Sequence, residues 1–182
     1  MNDASRFKIS LKRLLALVAL AAIIGAAYVA VAPRSPLMQV FNSAANMEVV
    51  RTAARVEARR VHLPAGVEYP NDDILPTDYV VAAASTQVPE PLVQILTERL
   101  LATATYEVDA AKACGLPVYG VMLSFFRDEE RVDVYFCFHC GDLAVVREGV
   151  VQGRGDFSKA DDDFVRAAKE LFPDDAEIQA IE

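Results

Sequence analysis

The sequence predicts an α+β domain behind a single N-terminal transmembrane helix, and three features carry that reading. Leu14–Ala32 is an uninterrupted apolar run with no ionisable side chain. Three β-rich segments, Val118–Phe126, Arg131–Phe138 and Leu143–Glu148, succeed one another across short polar links. Two helical stripes flank them, over Leu92, Leu96 and Leu100 and over Phe164, Ala168, Leu171 and Phe172.

The apolar run comes close to the roughly 20 residues that cross a hydrocarbon core at about 1.5 Å per residue. Arg6, Lys8, Lys12 and Arg13 precede it against a single Asp3. Short basic flanks stay on the cytoplasmic side, so residues 1–13 are expected inside and the rest outside. The expected organisation is a cytoplasmic basic N-terminus (1–13), a transmembrane anchor (14–32), a spacer (33–50) and a periplasmic domain (51–182) in a bacterial inner membrane. A cleaved signal peptide is the competing reading. The run is longer than a signal core, and Pro33 follows the small-residue site Ala30-Val31-Ala32; both favour an uncleaved anchor. With no charged or histidine side chain inside it, the run offers no proton relay or ion path.

Beyond the anchor, Pro33-Arg34-Ser35-Pro36 stops the helix, since proline cannot continue the hydrogen-bond ladder. Leu37–Val50 has the mixed character of a short amphipathic helix. From Arg55 to Leu63 the pattern alternates, Val56, Ala58, Arg60 and His62 opposing the odd-numbered positions, which reads as a strand. Arg51, Arg55 and Arg59 also recur every four residues, so a helix competes there. Pro64-Ala65-Gly66 and Pro70–Asp73 are turn signals. Tyr79–Ala83 reads as a buried strand, and Pro89-Glu90-Pro91 opens the Leu92 helix.

Arg127–Glu130 and His139–Asp142 are hairpin links, giving a three-stranded antiparallel meander. Asp133 between Val132 and Val134 predicts one wet face and one packed face. Gly149–Gly155 reads as loop. Ser158 is expected to cap the last helix, with Asp161, Asp162 and Asp163 in a first turn that the helix dipole favours. The fold class is therefore α+β: the meander plus one or two further strands, packed against two helices.

Composition excludes some classes of function. The chain carries a formal net charge of −8, although most of its N-terminal charge is basic. The domain beyond the anchor is therefore strongly acidic and repels a phosphate backbone, so nucleic acid is not an expected partner. No serine elbow, phosphate loop or dinucleotide fingerprint is present, and catalysis is not the favoured reading.

The chemistry-bearing residues are Cys114, Cys137 and Cys140, with His139 between the last two. Placing the hairpin turn at 127–130 sets Gly120 opposite Cys137. Three readings remain open. Buried thiols or a disulfide suit an oxidising compartment: the register allows a Cys114–Cys140 or Cys114–Cys137 bridge, and pairing Cys137 with Cys140 requires a turn at His139. A zinc site would draw on Cys114, Cys137, His139 and Cys140. A redox pair has the right two-residue spacing but lacks a thioredoxin-like βαβ surround. Arg51, Arg55, Arg59 and Arg60 form the basic segment nearest the anchor and are candidates for lipid or partner contact.

The order Cys114, Pro117-Val118-Tyr119-Gly120-Val121, Cys137-Phe138-His139-Cys140 and Phe172-Pro173-Asp174-Asp175 resembles a widespread family of bacterial domains with no assigned activity. The similarity spans roughly residues 95–180. Members of that family are often exported or membrane-anchored, so the resemblance implies the same placement and no reaction. The expected function is a non-catalytic accessory subunit of a bacterial membrane complex, respiratory or photosynthetic among the possibilities. Its partners would be membrane protein subunits and, through residues 14–32, the bilayer, with no cofactor required. The alternative is a membrane-tethered thiol-redox or zinc-binding domain.

Overall fold

The computed structural model describes residues 35–67, 74–107 and 117–181. The expected anchor Leu14–Ala32 and Cys114 lie outside them. Among the described residues no helix is long and apolar enough to cross a membrane.

The folded unit begins at Ser35. Its hydroxyl accepts from the Met38 amide and caps helix α1 (Pro36–Phe41), whose first-turn proline has no amide to leave unpaired. Asn42, at φ 59°, ends that helix in the left-handed region. Ser43 then caps α2 (Ala44–Arg51) by accepting from the Asn46 amide. Val40, Phe41, Val49 and Val50 are all buried. The stretch read as a spacer is thus, from Ser35 onward, part of the domain. Two serine caps and a left-handed Asn divide it into two short helices whose apolar residues reach one core.

Strand β1 (Arg55–His62) follows the expected alternation, with Val56, Ala58 and Arg60 buried. Its outer edge is shared by two short antiparallel strands, β2 (Val80–Val81) and β3 (Thr86–Gln87). Tyr79–Ala83 is therefore not the buried strand expected from its apolar run. Only two residues pair, and Val80 is 54% exposed because β2 is the end of the sheet. Helix α3 (Glu90–Leu101) buries Leu92, Leu96 and Leu100. Those leucines recur at the four-residue spacing that lines one helical face.

Four strands then run antiparallel in succession: β4 (Val121–Arg127), β5 (Glu130–Cys137), β6 (Asp142–Arg147) and β7 (Val150–Asp156). The meander has one strand more than expected, because β7 was read as loop. Glu148 and Gly149 both have positive φ, 52° and 73°. That is the two-residue hairpin turn whose twist suits adjoining strands, and Gly149 is its sequence signal. The glycines of Val150–Asp156 obscured the strand beyond it. The seven-stranded sheet has the order β2-β1-β4-β5-β6-β7, with β3 also on β1. Ser158 begins a short 3-10 turn (Ser158–Ala160) and does not cap helix α4 (Asp161–Leu171), whose N-cap position is Ala160. After Pro173, the Asp175 carboxylate caps α5 (Ala176–Gln179) by accepting from two amides.

Each of the described α-helices contributes to one face of the sheet. Val56, Leu123, Phe125, Val134, Phe136 and Val145 meet Phe41, Leu96, Phe164 and Ile178 there. The second face is not wet as expected. Val61, Tyr79, Tyr119, Met122, Tyr135, Cys137, Cys140, Ala144 and Val146 form a separate apolar cluster on it. Asp133, on that face, is buried and accepts from Ser124 Oγ at 2.7 Å and from Arg131.

Helix α1 lies close against β7. A Cβ added at Gly153 would stand 2.1 Å from the Gln39 carbonyl oxygen and 2.5 Å from that of Val40. One added at Gly155 would stand 2.5 Å from Val40 Cγ2. The main chain of Gln39 and Val40 cannot yield as a flexible side chain can, so Gly153→Ala should destabilise the domain by about 1–3 kcal/mol, the range for overpacking. Urea denaturation of the variant beside wild type measures this, and an unchanged midpoint would contradict the close approach.

Candidate functional site

The turn from β5 to β6 holds the two described cysteines. Strand β5 ends at Cys137, residues 138–141 reverse the chain, and Gly141 takes φ 62° before β6 starts at Asp142. The expected register holds: Val121 stands across from Phe136 and the Gly120 amide donates to the Phe136 carbonyl at 2.9 Å, which puts Gly120 opposite Cys137. The turn at His139 brings Cys140 back onto Cys137. Both side chains are buried thiols. Polar groups of Cys140 and Val118 lie near enough to the Cys137 sulfur to act toward lowering its pKa. Burial nevertheless dominates and pushes the Cys137 thiol above its ordinary pKa.

Three tyrosines surround this turn. Tyr119 meets Tyr79 and Tyr135 edge to face, at centroid distances of 5.4 and 5.9 Å. Such geometry sets the positive ring edge against the negative face. Tyr79 Oη donates to the Pro117 carbonyl at 3.1 Å and accepts from the Tyr119 amide at 3.3 Å. Tyr119 is 3% exposed, and its own hydroxyl has no hydrogen-bond partner. Burial raises its pKa, while Arg154, Asp142, Cys137 and Tyr79 lie near enough to act on it electrostatically.

Of the four zinc ligands proposed from the sequence, the structure brings Cys137 and Cys140 together. His139 is exposed in the turn, and Cys114 falls outside the described residues. Among the described residues, no three His, Cys, Asp or Glu side chains gather as a metal set.

The four arginines take different positions. Arg51 pairs with Glu48 on the surface, and Arg55 pairs with Glu57 while lying over the Phe126 ring, 3.9 Å from its centroid. Arg59 also reaches Glu57, at 3.0 Å. Arg60 is buried on the core face and is committed inside the domain. Its guanidinium donates to Asp175 at 2.7 Å, to Glu177 and to the Gly120 carbonyl. It ties β1, the entry to β4 and α5 together, and so does not offer its charge to lipid or a partner. Burial acts to raise the Asp175 carboxyl, but the Ile178 and Glu177 amides and Arg60 outweigh it, holding the group below its usual value.

On the second face a polar cleft of about 420 Å³ is lined by Glu129, Glu130, Arg131, Asp133, Tyr135 and Glu148, with Thr77 across from them. Two of its carboxylates are engaged: hydrogen bonds from Arg127 and Arg147 hold Glu130 below its usual pKa, and Asp133 accepts from Ser124 and Arg131. No protein-family model, no curated protein and no solved structure matches the chain. The family resemblance therefore rests on the quoted residues alone.

Sequence reasoning missed Tyr79 and Tyr119 as neighbours of the thiols, and Arg60 as an internal clamp. Tyr119 lies next to the Gly120 register position and could have been placed by it, whereas nothing local marks the 115-residue separation between Arg60 and Asp175. Arg60→Met should cost about 2 kcal/mol at neutral pH, as the Gly120 carbonyl and the half-buried Asp175 carboxylate lose their donor. Because the folded Asp175 is held low, its stabilisation is fully present above the unfolded value of about 4 and drains away as pH falls below it. The stability gap between wild type and variant should narrow over that acidic range. Urea melts at stepped pH test this; a gap constant down to strongly acidic pH would contradict the pairing.

Proposed function

We propose that this chain is a non-catalytic accessory subunit of a bacterial membrane protein complex, with a small acidic domain at the periplasmic face and residues 14–32 as its anchor. The observation that carries this reading is how soon the fold begins after the apolar run. Only Pro33 and Arg34 separate Ala32 from Ser35, where the folded unit starts. Helix α1 is then fixed to β7 by the close approach at Gly153 and by the burial of Val40 and Phe41. So short a connection suits a domain held near the membrane surface and is a poor match for one that must roam to find substrate.

The domain's chemistry is consistent with a contact role. Its guanidinium groups are largely engaged with carboxylates: Arg127 with Glu130, Arg131 with Asp133, Arg99 and Arg166 with Asp163. Arg51, Arg55 and Arg59 remain at least partly exposed near the start of the fold and are the proposed basic contact to lipid headgroups or an acidic partner.

Purification from native membranes in a mild detergent tests the subunit reading. The chain should migrate with other membrane proteins at constant stoichiometry. Migration alone, at the size of one 19.8 kDa chain plus detergent, would overturn it. Charge reversal at Arg51, whose pairing with Glu48 is on the surface, should weaken the association with little change in the thermal melt.

A further inference from the structure

The hairpin turns at Asp128–Glu129 and Glu148–Gly149 lie at the same end of the sheet, where Arg147 of β6 pairs with Glu130 of β5 at 2.6 Å. They flank the polar cleft of about 420 Å³ on the second face, a volume within the range of about 300–1,000 Å³ that small-molecule sites occupy. Its floor carries two buried groups with unused hydrogen-bonding capacity. Asp133 is 8% exposed, and Ser124 Oγ and Arg131 Nε both donate to the same oxygen, Oδ1, each at 2.7 Å. Among the described residues nothing donates to Oδ2. Tyr135 stands two positions on, hence on the same face of β5. It is 5% exposed, and its hydroxyl has no hydrogen-bond partner among the described residues. Both side chains line the cleft, and neither Oδ2 nor Oη is fully enclosed, so the little exposure each retains opens into it. At the rim, Glu129 and Glu148 are exposed and make no ion pair or hydrogen bond with the described residues. A buried carboxylate oxygen without a donor is costly, and this one lies beside an unpartnered hydroxyl and under unengaged carboxylates.

We infer that this cleft is a binding site for a primary alkylammonium group, seated on Asp133 Oδ2 and Tyr135 Oη beneath the Glu129 and Glu148 carboxylates. Four carboxylates line the cleft against the single guanidinium of Arg131, so its field favours a cation. An ammonium carries three donors and no acceptor, which suits two acceptors below and a carboxylate above. Val146, paired with Asp133 across the strands, and the Tyr135 ring supply an apolar wall for the alkyl stem. A guanidinium fits less well, because its planar fork seeks both oxygens of a carboxylate, and Oδ1 of Asp133 is taken. A calcium ion fits less well still. It takes about six to eight oxygen ligands, and among the described residues no three His, Cys, Asp or Glu side chains gather as a metal set. The same ammonium chemistry is offered by a free polyamine and by a lysine side chain of a neighbouring protein. The site does not depend on the domain's being a membrane subunit.

The test is calorimetric titration of the full-length chain in detergent, at low salt, with the diamine cadaverine and with the neutral diol of the same chain length. The diamine should bind at one site with a Kd below about 1 mM, and the diol should not bind. Tyr135→Phe keeps the ring packing and removes only the hydroxyl; it should weaken binding by about 10-fold, the loss of a hydrogen bond to a charged group. Glu129→Gln combined with Glu148→Gln alters only the exposed rim and leaves the thermal melt in place. It should lower affinity by about 5-fold and flatten the salt dependence of binding. Spermidine and an N-acetyl-lysine amide separate the sources: tighter binding of the first marks a free polyamine, and tighter binding of the second marks a neighbouring protein's side chain. Absence of saturable diamine binding, or equal binding of the diol, would overturn the site. So would an affinity unchanged in both variants, or calcium displacing the diamine at a lower concentration than the diamine itself needs.

Discussion

Strand β5 is buried on both sides, and the rest of the domain is arranged to keep it so. Val132, Val134 and Phe136 point into the helix-covered core, while Asp133, Tyr135 and Cys137 point into the second cluster. Side chains alternate along a strand, so a slip of one residue would exchange these sets. It would put Asp133 among phenylalanines and Phe136 against the tyrosines. The two-residue turn at Asp128 and Glu129 fixes one side of the register, and the Cys137–Asp142 pairing fixes the other. The helices, the thiol turn and the Arg60 clamp all take their places from that strand.

Local signals carried much of this architecture in the sequence. The Leu92, Leu96 and Leu100 stripe, the Arg127–Glu130 hairpin and the alternation from Arg55 to His62 each follow from spacing alone. The failures share a cause. Asp133 suggests solvent because a lone carboxylate in a strand usually faces water, but Ser124 and Arg131 hold one of its oxygens inside. Val150–Asp156 suggests loop because its glycines lower strand propensity, yet those glycines exist to let α1 approach. In both cases the deciding partner lies far away in the chain, where a window of sequence cannot see it.

The thiol turn was legible in part. The spacing Cys137-Phe138-His139-Cys140 and the register with Gly120 can be read from the residues, but the buried Tyr119 hydroxyl without a partner cannot.

The seating of α1 against Gly153 also decides where the domain could be detached. A protease cutting at Pro33 or Arg34 would shed a domain with its whole interior intact, because burial begins only at Val40. Cutting a few residues later, beyond Phe41, would remove a fully buried ring and leave an open hollow beside β7. A cut that leaves the fold whole and one that breaks it are thus separated by less than two turns of helix.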